Sequence, residues 1–377
     1  MYGSLLALER RCYLMGNPYS SLKIFHHKEA LDTLVRNEQR APIYIRLKPT
    51  NFCNHHCAYC TYGSGDTYQK TENRDSIEHR DMIPWEKLRE IIADMGEMGV
   101  RALTFSGGGE PLTYPHIVEA VRKVKSYGID LSLITNGQLL KGDIAKEFYT
   151  AKWVRISFDA PRASVYANLR RITEASFHQV CENIRSFARN KERDCVLGVN
   201  FVISKENCDY VYEAAVLLKS LGVDNVKFAA VIENQQNYHI DIKDKVIEQL
   251  HRAEQELTVP ANDQSNGFRI INNYENDWMD KQFTVQPFET CYTCRLITVI
   301  AADQRVYLCH TRAYDSQAIV GDLHDRLFRE MWFSEGTKKR LVELRPKRDC
   351  RNFCVYEERN QLIQAYFDTD MRHVNFI

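Results

Sequence analysis

The sequence predicts an α/β chain built as a whole or partial barrel of about six strand–helix units. Three observations carry that reading. From residue 42 to about residue 230, short β-rich runs alternate with amphipathic helical stretches. Connections of helix length between successive strands imply parallel pairing with right-handed crossovers. The residues with chemical character gather just after the strands, at the end of a barrel where function collects.

The elements follow in order. Strands are expected at 43–47, 102–106, 131–135, 153–158, 196–203 and 226–228. The first connecting helix spans 84–98. Pro84 lies in its first turn, and Leu88, Ile91, Ile92, Met95 and Met98 recur at helical spacing. Further helices are expected at 116–127, 141–149, 177–190 and 210–221. Residues 1–41 read as a helical extension before the barrel (42–232). Residues 233–290 are a polar bridge, with a helix at 241–257 and a break at Pro260-Ala261-Asn262-Asp263. Residues 291–377 form a small cysteine-bearing unit.

Composition narrows the class. A chain of 377 residues that is 44% hydrophobic can bury a large core in one or two domains. Fifty basic residues balance fifty acidic ones, so there is no electrostatic footprint for nucleic acid or an anionic membrane. No apolar run approaches the ~18 residues of a membrane span. Leu5, Leu6 and Leu8 are followed at once by Glu9, Arg10 and Arg11, which denies the N-terminus a signal-peptide core. The expectation is a soluble cytoplasmic protein. Twelve cysteines in a reducing compartment point to metal or redox chemistry rather than disulfides.

Three of those cysteines, Cys53, Cys57 and Cys60, follow the first strand as C-x3-C-x2-C. Zinc would favour paired C-x2-C knuckles, although His55 and His56 could add imidazole. Three clustered cysteines cannot pair evenly as disulfides. A 4Fe–4S cluster normally takes four cysteine ligands, so three leave one iron open. This spacing, with Tyr59 just before the last cysteine, resembles the radical S-adenosylmethionine (radical SAM) superfamily. Ser106-Gly107-Gly108-Gly109-Glu110-Pro111, after the second strand, matches that family's Gly-Gly-Glu-Pro motif.

The resemblance implies a partial (β/α)6 barrel of the TIM type. It also implies a 4Fe–4S cluster whose open iron chelates S-adenosylmethionine and whose electron releases a deoxyadenosyl radical. On this reading Gly108, Gly109 and Glu110 meet the methionine amino end. Glycine allows close backbone approach, and a carboxylate accepts from an ammonium. Ser157 and Asp159, ending the fourth strand, take the ribose hydroxyls. Asn136 and Lys205, after the third and fifth strands, are further contacts, and Tyr59 packs on adenine.

Cys291, Cys294, Cys309, Cys350 and Cys354 gather late in the chain. Between them, residues 297–308 read as a β-hairpin turning at Asp303-Gln304. This region resembles the twitch, or shortened SPASM, extension of radical SAM enzymes. The family's usual Asp-Gly turn has Gln304 in place of the glycine. The resemblance implies one auxiliary 4Fe–4S cluster on Cys291, Cys309, Cys350 and Cys354, with Cys294 spare or substituting for one of them. A zinc ribbon is the competing reading. Cys12, Cys181, Cys195 and Cys208 stand alone, as small buried hydrophobes.

A fully ligated auxiliary cluster suits electron transfer. The expected reaction is therefore hydrogen abstraction and net oxidation of a sugar, nucleotide sugar or aminocyclitol, with a flavodoxin or ferredoxin as one-electron reductant. His310, Arg312 and Tyr314 are candidate substrate contacts. Peptide modification is an alternative, against which the roughly 41 residues before the barrel look short for a leader-binding domain. A radical epimerase is another, with Cys294 or Cys208 returning hydrogen. A non-catalytic metal-binding scaffold is the remote one.

Overall fold

Each expected strand pairs in parallel with the one before it. The computed structural model describes residues 20–63, 77–231, 239–258, 267–275, 286–350 and 354–375. Cys12, with the rest of residues 1–19 of the N-terminal extension, and the break at residues 260–263 lie outside them. The described part of the extension is helical: a 3-10 turn at Ser21–His26, then α1 (Lys28–Val35).

The barrel runs β1 (Tyr44–Leu47), α2 (Trp85–Met98), β2 (Ala102–Phe105), α3 (Ile117–Ser126), β3 (Asp130–Thr135), α4 (Gly142–Phe148) and β4 (Trp153–Ser157). It continues α5 (Ala163–Arg170), α6 (Glu174–Asn190), β5 (Val196–Ile203), α7 (Val211–Ser220), β6 (Asn225–Ala230), α8 (Lys243–Leu257) and β7 (Arg269–Asn272). Pro84 stands at the N-cap of α2, just outside it. Gly99 closes the same helix with φ at 77°, a left-handed conformation that costs glycine little. Two elements were not foreseen. The eight-residue α5 shares a connection with α6, and β7, which continues the parallel sheet beside β6, lies within the polar bridge. Four residues reading Arg-Ile-Ile-Asn are too few to display a period.

The C-terminal hairpin also departs from expectation. Strand β8 (Ile297–Ile300) turns into β9 (Arg305–Tyr307), and β10 (Ile319–Asp322) follows. The hairpin is not a sheet of its own. β8 lies parallel to β1, with Tyr44 opposite Ile297 and Leu47 opposite Ile300. One ten-stranded sheet results, in the order β10-β9-β8-β1-β2-β3-β4-β5-β6-β7. The reason is burial. All four residues of β8 are buried, and a strand apolar on both faces needs cover that an isolated hairpin cannot give. Four helices complete the described chain: α9 (Phe328–Trp332), α10 (Glu335–Val342), α11 (Pro346–Asp349) and α12 (Glu357–Phe367). No helix among the described residues is long and apolar enough to cross a membrane.

The two faces of the sheet differ. Ile45, Leu47, Leu103, Phe105, Val154, Ile156, Val199, Phe201, Val226 and Phe228 are sealed in the main core with the helices. Each such side chain contributes roughly 1.5–3 kcal/mol. The alternate positions carry Tyr44, Arg46, Arg155, Ser157, Asn200 and Lys227, all half-buried. The polar face is on the inside of a curl. The charge of Arg46 on β1 acts on Lys227 on β6, five strands away. In a flat sheet those strands would stand about 24 Å apart. The sheet therefore bends around its polar face and encloses a lumen, while its edges, β10 and β7, stay unjoined.

Candidate active site

The loop that leaves β1 carries Cys53, Cys57 and Cys60, half-buried and unbridged. It is stitched to elements on every side. Lys48 N–H donates to Ile300 O on β8 (2.8 Å), and Asn51 N–H to Asp81 O (2.9 Å). His56 N–H reaches Arg170 O (3.0 Å) and Ala58 N–H reaches Leu169 O (2.9 Å), both at the end of α5. Asn54 Nδ2 and His55 Nε2 both donate to Gln138 Oε1, beyond β3. Burial, helped by Arg170, holds the His55 imidazole down at about 4, so it is neutral.

Burial pushes the Cys53 thiol up to about 12. It pushes Cys57 up to about 11, against the pull of Arg170. Thiols this far from ionising need a strongly bound cation to become ligating thiolates. A cubane takes its thiolates at separate corners rather than at one ion. Soft donors, half-exposed on one anchored loop, fit an iron–sulfur cluster.

The glycine-rich loop after β2 lies directly against this loop. Gly109 N–H donates to Thr50 O (3.2 Å) and Glu110 N–H to Phe52 O (2.9 Å). A Cβ on Gly109 would overlap the Phe52 carbonyl, and one on Gly108 would overlap the Asn51 side chain. The glycines thus let two loop backbones nest together, whatever else they admit. Glu110 is 3% exposed. Its carboxylate accepts from Thr135 Oγ1 (2.6 Å), Asn136 N–H (2.7 Å) and Leu112 N–H (3.1 Å). Burial outweighs those bonds and raises it to about 7. Asn136, besides that backbone bond, donates its amide to Asn54 Oδ1 (2.8 Å). Glu110 and Asn136 therefore brace the cysteine loop from the third strand.

Asp159, 1% exposed, sits under the loop in an ion pair with Arg170, and accepts from the Tyr59 hydroxyl and from Val202 N–H (2.8 Å). Tyr59 is thereby fixed at the loop's inner side. Arg170 was missed by the sequence reading. It closes α5, one of the unforeseen elements, and nothing in its neighbours' pattern marks it. Ser157 faces the lumen. It stands opposite Asn200 on β5, which stands opposite Lys227 on β6, in one row across three strands. Lys205 is exposed and pairs with Asp241 (3.3 Å).

The late cysteines also come together. The ionisation of Cys350 is opposed by Cys309 and Cys291, and that of Cys354 by Cys291, Cys309 and Cys350. Four thiols share one neighbourhood. Cys294 lies beside Cys291 but turns its Sγ to the Cys291 and Leu341 carbonyls (3.0 and 3.9 Å). Cys208 is buried, with its Sγ on Lys205 O (3.3 Å).

The three candidate substrate contacts are all engaged within the protein. Arg312 is buried in an ion pair with Asp315 (2.6 Å) and donates to Asp349 O (2.8 Å). Tyr314 is fully buried and donates to Asn51 Oδ1. His310 Nδ1 meets the Tyr356 hydroxyl at 3.2 Å. Tyr314 joins the C-terminal segment to the barrel through Asn51, whereas these bonds of Arg312 and of the His310 ring stay within that segment. The lumen cations Arg46, Arg155 and Lys227 went unnoticed, though each interrupts a strand between two apolar residues, which is the signal that marks them.

Residues 47–232 match the family model described as the Radical SAM superfamily. Among curated proteins, the GTP 3',8-cyclase of Alkaliphilus metalliredigens is 32% identical over 190 residues, 49% of this chain and 55% of that protein. The radical SAM cyclopropyl synthase TigE of Paramaledivibacter caminithermalis is 29% identical over 199 residues, 49% and 40% of the two chains. The chain spans about half the length of these curated relatives. Among solved structures, Streptococcus suis SuiB bound to S-adenosylmethionine superposes with a TM-score of 0.58 at 14% identity, covering 82% of this chain and 69% of that one. That likeness is one of fold.

Proposed function

From the radical SAM superfamily domain that this chain carries over residues 47–232, we propose an enzyme that cleaves S-adenosylmethionine and takes a hydrogen atom from a substrate held in the lumen. The observation that carries the reading is the anchored loop of Cys53, Cys57 and Cys60. It lies at the C-terminal ends of the strands and is nested against Gly108, Gly109 and Glu110. When bound, the cluster and S-adenosylmethionine supply a carbon-centred radical.

The protein's own residues bind and orient. Cys53, Cys57 and Cys60 hold the cluster. Glu110, with one carboxylate lone pair left after three bonds, and the Asn136 side chain border the cysteine loop where the methionine end would lie. Ser157 and Asn200 present a hydroxyl and an amide to the ribose. Tyr59, held by Asp159, offers its ring edge to adenine. Cys291, Cys309, Cys350 and Cys354 would hold an auxiliary cluster, which would supply an electron acceptor for a two-electron oxidation. Asp159 acts through Tyr59 and Arg170 rather than on ribose, because its oxygens are committed and buried.

The relatives' names specify a nucleotide cyclisation and a cyclopropyl synthesis. They lend no support to the sugar, nucleotide-sugar or aminocyclitol substrate expected from the sequence. A flavodoxin or ferredoxin would deliver the first electron. The test is anaerobic reconstitution, reduction and measurement of 5'-deoxyadenosine and methionine. Release of both by the wild type, and of neither by Cys53→Ala, is the expected result. No release from a protein loaded with iron and sulfide overturns the proposal.

A further inference from the structure

Three cations point into the lumen from three strands. Arg46 comes from β1, Arg155 from β4 and Lys227 from β6, each at a position that alternates with sealed apolar residues. Among the described residues, the guanidiniums of Arg155 and Arg46 both act against the charge of Lys227. The groups that act on Arg46 are tyrosines, Tyr44, Tyr356 and Tyr62, and its Nε donates to the Tyr44 hydroxyl (3.3 Å). Among the described residues neither Arg46 nor Lys227 forms an ion pair with a carboxylate. The chain pairs its charges elsewhere. Asp159 answers Arg170 under the cysteine loop, and Asp315 answers Arg312.

Like charges gathered in a partly desolvated space repel and lose hydration, so such an arrangement carries a standing cost. It is recovered when an anion enters, and the charge-assisted bonds formed there are about twice as strong as neutral ones. A carboxylate brings one negative charge; a phosphate ester brings about 1.5 to 2. The two positive charges of Lys227 and Arg46 match the second better. The row also fits, because Lys227 continues the line of Ser157 and Asn200, which leaves the cations beside the polar strip assigned to ribose rather than on it.

We propose that the lumen binds a phosphorylated small molecule, its phosphate group held by Lys227 and Arg46 with Arg155 completing the cradle. The inference deepens the proposed function, since it places the substrate in the same lumen. It also sets the substrate apart from an unphosphorylated peptide.

The probe is inorganic pyrophosphate, titrated calorimetrically into the reconstituted full-length protein at fixed salt. The wild type should bind it. Lys227→Gln should weaken binding by about tenfold, and Arg46→Gln/Lys227→Gln by about a hundredfold. Lys227→Arg keeps the charge and should retain affinity within about threefold, which separates charge from misfolding. Lys146→Gln, an exposed lysine, serves as the salt-screening control. S-adenosylmethionine affinity is measured on the same samples.

Absence of pyrophosphate binding, or equal binding by wild type and double variant, overturns the proposal. So does a parallel loss of S-adenosylmethionine affinity, which would assign the cations to the methionine carboxylate. Pyrophosphate binding requires no turnover. A protein that binds it but releases no 5'-deoxyadenosine would retain this site and lose the proposed reaction.

Discussion

The Tyr314 hydroxyl donates to Asn51 Oδ1 across 263 positions of chain. Asn51 stands two residues before Cys53, and Tyr314 five after Cys309, so one buried bond joins the two cysteine-bearing regions. Gly108 makes room for it, since a side chain there would collide with both partners.

Tyr314→Phe should leave Asn51 Oδ1 buried and short of a donor, at a cost of about 1–3 kcal/mol. Denaturant midpoints of the reconstituted protein measure it. Unchanged stability would show that the bond ties nothing together.

Iron and sulfide analysis reads the cysteine assignments directly. The wild type should hold about eight irons, and Cys53→Ala/Cys57→Ala/Cys60→Ala about four. Cys294→Ala should keep about eight, because its Sγ is turned toward carbonyls rather than toward Cys309, Cys350 and Cys354. A drop to about four in that variant would move Cys294 into the ligand set.

Arg170→Met strands the Asp159 carboxylate in a buried site, and breaking such a pair costs roughly 3–5 kcal/mol. Asp159→Asn combined with Arg170→Met should be less damaging than Arg170→Met alone, since no unpaired charge remains. Thermal unfolding of the wild type and the two variants gives the comparison. Equal losses would mean that the pair matters for shape rather than charge.

Gly109→Ala places a methyl group on the Phe52 carbonyl. Overpacking of this kind costs about 1–3 kcal/mol. Iron should fall from about eight to about four if the cysteine loop is displaced. Full iron retention with wild-type stability would contradict the nested arrangement of the two loops.

Lys227 supplies a pH dependence. Burial, then Arg155 and Arg46, hold it at about 8 in the folded protein, against about 10.4 in an unfolded chain. Between those values the unfolded chain binds a proton that the folded one does not. Stability should therefore rise with pH across that window, by up to about 3 kcal/mol, and the penalty is complete below the lower value. Lys227→Met should flatten the rise. Urea midpoints at about pH 7 and about pH 10 decide it, and an identical slope in both proteins would remove Lys227 as its source.

Much of the barrel was legible because its signals are local. The alternation of β1 to β6 with their helices could be read from spacing, as could the loop of Cys53, Cys57 and Cys60. What escaped depends on distant partners. The pairing of β8 with β1 is one case, since a four-residue apolar run carries no record of which strand will cover it. Glu110 is another. Its type suits an ammonium, but only the fold reveals that Thr135, Asn136 and Leu112 already use three of its acceptor sites. Arg312 and Tyr314 follow a cysteine and looked available, yet both are buried in bonds of their own. Lys227 and Arg155 could have been noticed, because each breaks an apolar strand.

Strand β1 has a neighbour on each side, and they emerge at very different times. β2 follows within about 60 residues, whereas β8 comes about 250 residues later. On the ribosome, β1 must keep an open edge until Ile297–Ile300 has been made. Lys48, at the root of the cysteine loop, takes its Ile300 partner only then. The root of the cysteine loop therefore lacks its anchor on β8 for as long as β8 is unmade. That open edge of β1 persists over the whole interval in which the residues between β1 and Ile297 are made.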